Sequence, residues 1–329
     1  MLSIVNSLCM EGLLVHPLEV EVDVTHASLP SFTIVGLPDT AVQEARERVR
    51  SAIKNSGYHF PVAKIVVNLA PADIKKEGSS FDLPIALGIL MASDQLEKTP
   101  PSHSYFVGEL SLEGRIKPIA GIFPLVLHLE ETDESDIRFF FPMENLNEAW
   151  TSRIMLFPSN TLSEVIDHLH ERILSLPIKP KVQPFLSEEY GDMADIIGQH
   201  YAKRALVIAA AGFHNLLMIG PPGTGKTMLA KRIVTILPSL SEEESRQVTK
   251  IYSIAGKITR NHGYITERPF RSPHHSSSTI ALLGGGHIPK PGDISLSHRG
   301  VLFLDELPEF KRDVLNALRQ PIEEGFVTI

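Results

Sequence analysis

"GPPGTGKT", residues 220–227, decides how this 329-residue chain reads. It fits the pattern G-x-x-x-x-G-K-[ST], and its flanks are those such a loop needs. The apolar "NLLMIG" (215–220) before it reads as a strand, and 226–237 after it reads as a helix. Gly223 and Gly225 let the backbone curl so that successive N–H groups converge on phosphate oxygens, and Gly220, Pro221, Pro222 and Thr224 complete the cradle. The helix adds the positive end of its dipole at the same place. Lys226 then supplies a point charge to the β- and γ-phosphates, and the Thr227 hydroxyl is a ligand for Mg²⁺. The loop thus predicts ATP and Mg²⁺ as the chemical partners of this half.

A second motif lies about 80 residues on. "GVLFLDE" (300–306) is a continuous apolar run, as a parallel strand buried on both faces should be, and it ends in two carboxylates. Asp305 is expected in the Mg²⁺ shell, directly or through water, and Glu306 is expected to orient and polarise the attacking water. Together the two motifs predict an α/β NTPase core that opens with a helix over 199–212. Residues 177–195, "PIKPKVQPFLSEEYGDMAD", hold three prolines and little periodicity, which is linker chemistry.

Upstream, residues 1–176 read as a separate mixed α/β unit. Residues 20–37 predict two strands and a turn. In "DTAVQEARERVRSAIKNSG" the apolar Val42, Ala45, Val49, Ala52 and Ile53 share one helical face, with Asp39 or Thr40 to cap it and Gly57 to end it. "KIVVNLA" (64–70) is a strand and 82–93 a helix. "YFVGEL" and "GRIKPI" are strands around a turn at Glu113 and Gly114, and "RFFFP" and "RIMLFPS" are further strands.

Composition sets limits. The chain is 43% hydrophobic and 21% charged, with no apolar run near the roughly 18–20 residues of a membrane span. No Lys or Arg precedes Arg46, so a secretory signal is not expected. The single Cys9 fits a reducing cytoplasm. Net charge is −8, which argues against a generally basic nucleic-acid surface. Residues 256–300 differ. They hold six basic residues (Lys257, Arg260, Arg268, Arg271, Lys290 and Arg299) against Glu267 and Asp293, a local surplus of +4, with five histidines. "SPHH" (272–275) has no convergent carboxylate or cysteine in sequence and reads as a loop at a pore or a subunit contact rather than a metal site.

At this point the motifs carry a resemblance. "RPFRSPHHSSSTIALLGGGHIPKPGDISLSHRGVLFLDELPEFKRDVLNALRQPIEEG" resembles the magnesium-chelatase-like branch of the AAA+ ATPases, and within it the YifB/ComM family of bacterial proteins. "MEGLLVHPLEVEVDV", "FTIVGLPDTAVQEARERVRSAIKNSGY" and "NLAPADIKKEGSSFDLPIALGIL" are similar to that family's first domain, so the likeness covers essentially the whole chain. It implies a Lon-protease-like (ribosomal protein S5 domain 2-like) α+β domain over 1–176 and an AAA+ α/β domain over 196–329. It also implies a hexameric, ATP-driven motor that acts on branched or single-stranded DNA as a helicase and promotes branch migration during transformation. The resemblance places Gly220, Gly225, Lys226, Thr227, Asp305 and Glu306 at the nucleotide. It puts Ile197 and Gly198 of "DIIGQ" beside the adenine. Residues 282–299 resemble an insertion hairpin directed at the ring's pore, with Lys290, His287 and Arg299 as possible DNA contacts; a hairpin used only in subunit contacts is the alternative. Such motors continue past the acidic strand with a γ-phosphate sensor, an arginine for the neighbouring subunit and a helical lid. This chain runs 23 residues beyond Glu306 (329 minus 306), so weak nucleotide binding and poor turnover are expected of it.

Two other functions stay in view. One is a chelatase-type motor that remodels a protein partner. The other is an ATP-dependent protease, because "KKEGSSFDLPIALGIL" sits where Lon-like enzymes carry their nucleophile, which puts Ser80 at that position. A serine needs a base, and Leu125 stands where the resemblance calls for the lysine. Ser79 and Ser80 are therefore expected to cap the 82–93 helix, with Ser80 a vestige.

Overall fold

The computed structural model of the protein describes residues 1–150, 153–172, 191–258, 263–286 and 289–327, and the backbone of 184–185. The chain forms two compact units, Met1–Val182 with Gly256–Gly263, and Gln183–Ala255 with Tyr264–Ile329. Most of the expected linker, 177–183 and 186–190, lies outside the described residues.

In the first unit the chain order is β1 (Leu2–Glu11), β2 (Leu14–Thr25), β3 (Ser31–Val35), α1 (Thr40–Asn55), β4 (Lys64–Ala70) and α2 (Asp82–Ala92). Then follow β5 (Ser104–Phe106), β6 (Glu109–Leu110), β7 (Ile116–Lys117), α3 (Ile122–Glu131), β8 (Arg138–Pro142), β9 (Met155–Ser159) and α4 (Leu162–Leu169). Seven strands make one sheet in the order β3-β4-β2-β1-β5-β8-β9. Four of its six pairings are parallel, the exceptions being β1 with β2 and β2 with β4. The short hairpin β6–β7 stands apart from it.

β1 is the strand that the sequence pattern hides. Ser3 and Ser7 are buried in it, which breaks the apolar alternation, and each is satisfied by a carbonyl: Ser3 Oγ donates to Gly88 O and Ser7 Oγ to Phe106 O, both at 2.8 Å. β8 shows the opposite extreme. Phe140 packs on one face between Phe106 and Phe157 (ring centroids 4.7 and 4.8 Å), while Phe139 and Phe141 pack on the other. A strand buried on both faces needs an unbroken apolar run, and each fully buried Phe stabilises by about 1.5–3 kcal/mol. α1 buries the five residues expected of it, and the Asp39 carboxylate accepts from Val42 N at 2.8 Å as its cap. α2 lies so close to the sheet that a Cβ on Gly88 would meet Val22 Cγ2 at 2.5 Å. Glycine is the residue that fits there.

The second unit runs through β10 (Pro184–Phe185), α5 (His200–Gly212), α6 (Lys226–Arg232), a 3₁₀ turn (Ile233–Ile236), α7 (Glu242–Ile254), β11 (Tyr264–Ile265) and β12 (Phe270–Arg271). After these come α8 (Thr279–Leu283), β13 (Gly284–Gly285), β14 (Lys290–Pro291), α9 (Asp293–Leu296), β15 (Val301–Leu302), α10 (Arg312–Ala317) and α11 (Arg319–Glu323). Its strands are short parallel pairs, β10 with β11 and β12 with β15, and the antiparallel pair β13–β14.

Three expectations are corrected here. "NLLMIG" forms no strand: among the described residues no backbone hydrogen bond ties 215–219 to a neighbour, and Leu217 and Ile219 are 69% and 90% exposed. The helix after the loop is α6 alone, and it tightens into the 3₁₀ turn instead of continuing to 237. The acidic strand is ladder-paired only over Val301–Leu302, beside β12, and its apolar residues are half-buried. The physical reason is common to the two strands. An apolar segment becomes a strand through neighbours that take its N–H and C=O groups, and the described part of this unit offers few.

Candidate functional site

The loop at residues 220–227 has the expected backbone. Gly223 and Gly225 adopt φ of +79° and +87°, the left-handed region that a side chain resists, and Gly225 is the residue from which α6 starts. Residues 221–224 are exposed. Among the described residues the N–H groups of 223–227 have no backbone acceptor, so they are open to an anion. Lys226 Nζ lies back across its own loop, donating to Gly220 O at 2.9 Å and Pro221 O at 3.0 Å, and Thr224 Oγ1 donates to Pro221 O at 2.9 Å. An ammonium resting on two carbonyls, a few ångströms from free N–H groups, can be drawn to a phosphate at little cost.

Two further segments meet this loop. Thr227 Oγ1 donates to Asp305 Oδ2 at 2.8 Å, which joins residues 78 apart in sequence, and Asp305 Oδ1 accepts from Glu306 N at 3.0 Å. Gln199 Nε2 donates to Thr224 O at 3.4 Å, which ties the "DIIGQ" turn to the loop. In that turn Gly198 and Gln199 have left-handed φ, and Ile197 is 95% exposed, an apolar side chain standing free beside a polar loop. Sequence patterns single out Ile197 and Gly198; Gln199 makes the contact, and its glutamine type alone gave no signal.

The donor set suits a magnesium ion. A hydroxyl and a carboxylate within 2.8 Å of each other are hard oxygen ligands, while no group of three or more His, Cys, Asp or Glu side chains converges among the described residues. Mg²⁺ takes few protein oxygens and completes its octahedron with water and phosphate.

Glu306 departs from the expected picture. Its backbone φ is +53°, a conformation that costs a non-glycine residue about 1–2 kcal/mol, and its carboxylate lies 3.3 Å from His275 Nδ1. The "SPHH" turn therefore reaches the acidic pair, which its sequence spacing did not disclose. Lys290 is exposed in the β13–β14 hairpin, and His287 lies outside the described residues. Arg299 is exposed but lies along α7, with Nε on Gln247 Oε1 at 3.1 Å and a guanidinium nitrogen 3.7 Å from Glu244. Arg268 is buried on Glu244, Pro238 O and Arg299 O, and Arg271 Nε donates to Asp293 at 2.8 Å. Three of the six basic residues that made 256–300 look anion-seeking are thus engaged within the unit.

The Lon-like position in the first unit is arranged differently. The Ser79 hydroxyl donates to the Glu109 carboxylate, and α2 begins after Phe81 with no side-chain cap. Its first donors go to backbone instead: Asp82 N to Ser79 O at 3.3 Å and Leu83 N to Gly108 O at 3.0 Å. Capping by the serine hydroxyls is therefore corrected to capping by carbonyls. Lys75 pairs with Glu77 at 2.6 Å. Lys76 is fully buried with Nζ on the Pro71 carbonyl, and desolvation pushes its ammonium down. Leu125 is a core residue beside Leu8, Tyr105 and Val107. Asp82 makes a buried two-point pair with Arg48 (2.7 and 3.0 Å) and accepts from Leu110 N at 3.1 Å; burial pushes its carboxyl up to about 6 against the pull of the guanidinium. No base is aimed at Ser80 among the described residues.

Comparison with known proteins follows the same division. Residues 192–329 match the family model "Magnesium chelatase, subunit ChlI", and residues 20–145 match "Subunit ChlI of Mg-chelatase". The chain is 45% identical over 333 residues to the competence protein ComM of Haemophilus influenzae, covering 100% of this chain and 64% of that protein. It is 46% identical over 330 residues to the uncharacterized protein YifB of Escherichia coli, covering 98% of this chain and 63% of that one. Lon protease 2 of Bacillus subtilis is 26% identical over 161 residues, 46% of this chain and 27% of the protease. The chain spans less than two thirds of the length of its ComM and YifB relatives.

Proposed function

The chain belongs to the ComM/YifB family of magnesium-chelatase-like AAA+ proteins, whose first domain is related to Lon, and from that premise we propose that its second unit binds and hydrolyses ATP. The observation that carries this is the 2.8 Å contact of Thr227 with Asp305, since a P-loop hydroxyl and a carboxylate far away in sequence meet there for one cation. Lys226 leaves its two loop carbonyls for the β- and γ-phosphates, the N–H groups of 223–227 bind the remaining oxygens, and Ile197 packs on the base. Thr227 and Asp305 would hold Mg²⁺, which neutralises phosphate charge when bound. Glu306 orients a water and takes its proton.

At the level of the complete protein the reading is a cytoplasmic, hexameric motor on branched or single-stranded DNA that promotes branch migration. It is supported by the similarity to a competence protein and by the exposed Lys290 on a hairpin. No helix among the described residues is long and apolar enough to cross a membrane. A chelatase-type motor on a protein partner is the second reading. It is favoured by the family models and by the pairing of Arg268, Arg271 and Arg299 with acidic residues of the same unit. A branch-migration assay on the full-length protein separates the two: ATP-dependent migration of a four-way junction, lost in Lys226→Ala, is expected. Junction-independent ATP turnover without migration would sink the DNA reading.

A further inference from the structure

We propose that Arg232 is a positioning residue for the base half of the nucleotide, fastening the turn that carries Ile197 to the helix that carries Lys226 and Thr227; this rests on the reading of Ile197 given above. Ile197 is 95% exposed, so its place beside the loop is set by the backbone around it and not by packing of the side chain. That backbone is a short shelf. Residues 193–195 form a 3₁₀ turn closed by a capping box, in which Asp192 Oδ1 accepts from Ala194 N at 2.8 Å and Asp195 Oδ2 accepts from Asp192 N at 2.9 Å. Met193 and Ile196 are buried in a cluster with Leu206 and Leu229. Lys203 Nζ donates to Ile196 O, and past Gly198 the Gln199 amide reaches Thr224 O at 3.4 Å.

The start of the shelf is held by Arg232, the last residue of α6. Its Nε donates to Asp192 O at 2.8 Å, and another guanidinium nitrogen lies 3.8 Å from Asp195 Oδ2. The side chain is 17% exposed, and a Cβ on Gly191 would stand 3.1 Å from its Nη2. A guanidinium suits this place. It donates to a carbonyl while facing a carboxylate of the same turn, and its charge offsets the two carboxylates that the capping box brings together. Lys226 opens the same helix, about 9 Å along the axis from Arg232 at about 1.5 Å per residue. The helix is therefore a spacer, with phosphate ligands at one end and the base shelf fastened to the other. Arg232 touches neither base nor phosphate, and its effect passes through the separation of the two half-sites. A separation fixed in advance spares the nucleotide the cost of ordering the shelf as it binds.

The test compares ADP, which has a base, with inorganic pyrophosphate, which has none. Each is titrated with Mg²⁺ into the full-length protein by calorimetry, and melting temperature is measured alongside. In Arg232→Met the affinity for ADP is expected to fall about tenfold while that for pyrophosphate stays within about twofold, because the phosphate seat does not use the guanidinium. Arg232→Lys keeps the charge and only one of the two contacts. It is expected to lose about threefold for ADP, and it carries the test if the methionine variant does not fold. A merely structural role would lower both affinities together with the melting temperature. That outcome overturns the proposal, as does an unchanged affinity for ADP. Ile197→Ser keeps the two readings apart. If it lowers the affinity for ADP and spares pyrophosphate while the Arg232 variants change neither, the positioning proposal alone falls. If it leaves the affinity for ADP unchanged, the reading of Ile197 falls and takes the proposal with it.

Discussion

Two helices in this protein start from polar, glycine-containing loops, α2 after "KKEGSSF" and α6 after "GPPGTG", and they dispose of their polar groups in opposite ways. At α2 several of the side chains and N–H groups are paired within the fold. Asp82 has Arg48 and Leu110 N, Ser79 has Glu109, Lys76 has the Pro71 carbonyl, and Leu83 N has Gly108 O. At α6 the N–H groups of 223–227 are left open, two glycines hold the loop in a left-handed curl, and Lys226 rests on carbonyls that it can leave. A binding site is a place where the fold leaves polar groups for something else to satisfy. Polar groups that the fold pairs with one another are structure.

The contrast can be broken most directly at Lys226. Lys226→Ala is expected to weaken binding of a fluorescent ATP analogue about 100-fold or more, with the melting of the first unit unmoved; retained affinity would mean that the open loop is not the phosphate seat. At α2 the expected loss is in folding instead. Asp82→Ala strands Arg48 and should cost about 3 kcal/mol in chemical denaturation, leaving nucleotide affinity as it was. A change in affinity there would show that the two helix starts are not independent.

The same carboxylate sharpens the comparison through pH. Its folded-state pKa, about 6, lies above the ordinary value of 3.8, so the folded form holds the proton more tightly than the unfolded chain does. Stability from this group is fully present below the ordinary value and is lost as pH rises through about 6. The stability of the wild type relative to Asp82→Asn should therefore grow as pH falls from 7 to 5; a constant or shrinking difference would contradict the burial argument. The smallest expected effect is none at all. A serine-directed fluorophosphonate should leave Ser80 unlabelled in the wild type, and labelling that disappears in Ser80→Ala would reopen the peptidase reading.

Much of this was legible in residues alone. The face of α1, its Asp39 cap, β4 and β8 follow from period, cap chemistry and apolar runs, which act over a few residues. β1 was not legible, because its buried serines are satisfied by Gly88 and Phe106, partners about 85 and 99 residues away. Nor was the fate of the basic segment. Arg268, Arg271 and Arg299 read as free cations until Glu244 and Asp293 are seen beside them. Charge counted along a chain cannot tell a paired cation from a free one.

By itself the sequence determined the chemistry on offer: a phosphate-cradling loop, a lysine, a hydroxyl and two carboxylates in a fixed order, and a serine whose expected base is leucine. Those are properties of side-chain type and local backbone freedom. The tertiary structure alone decided which of them meet. It brought Thr227 to Asp305, set His275 against Glu306, turned Ser79 to Glu109, and left 215–219 without a ladder. Hydrogen bonds and ion pairs form between groups a few ångströms apart in space, and separation along the chain fixes none of those distances.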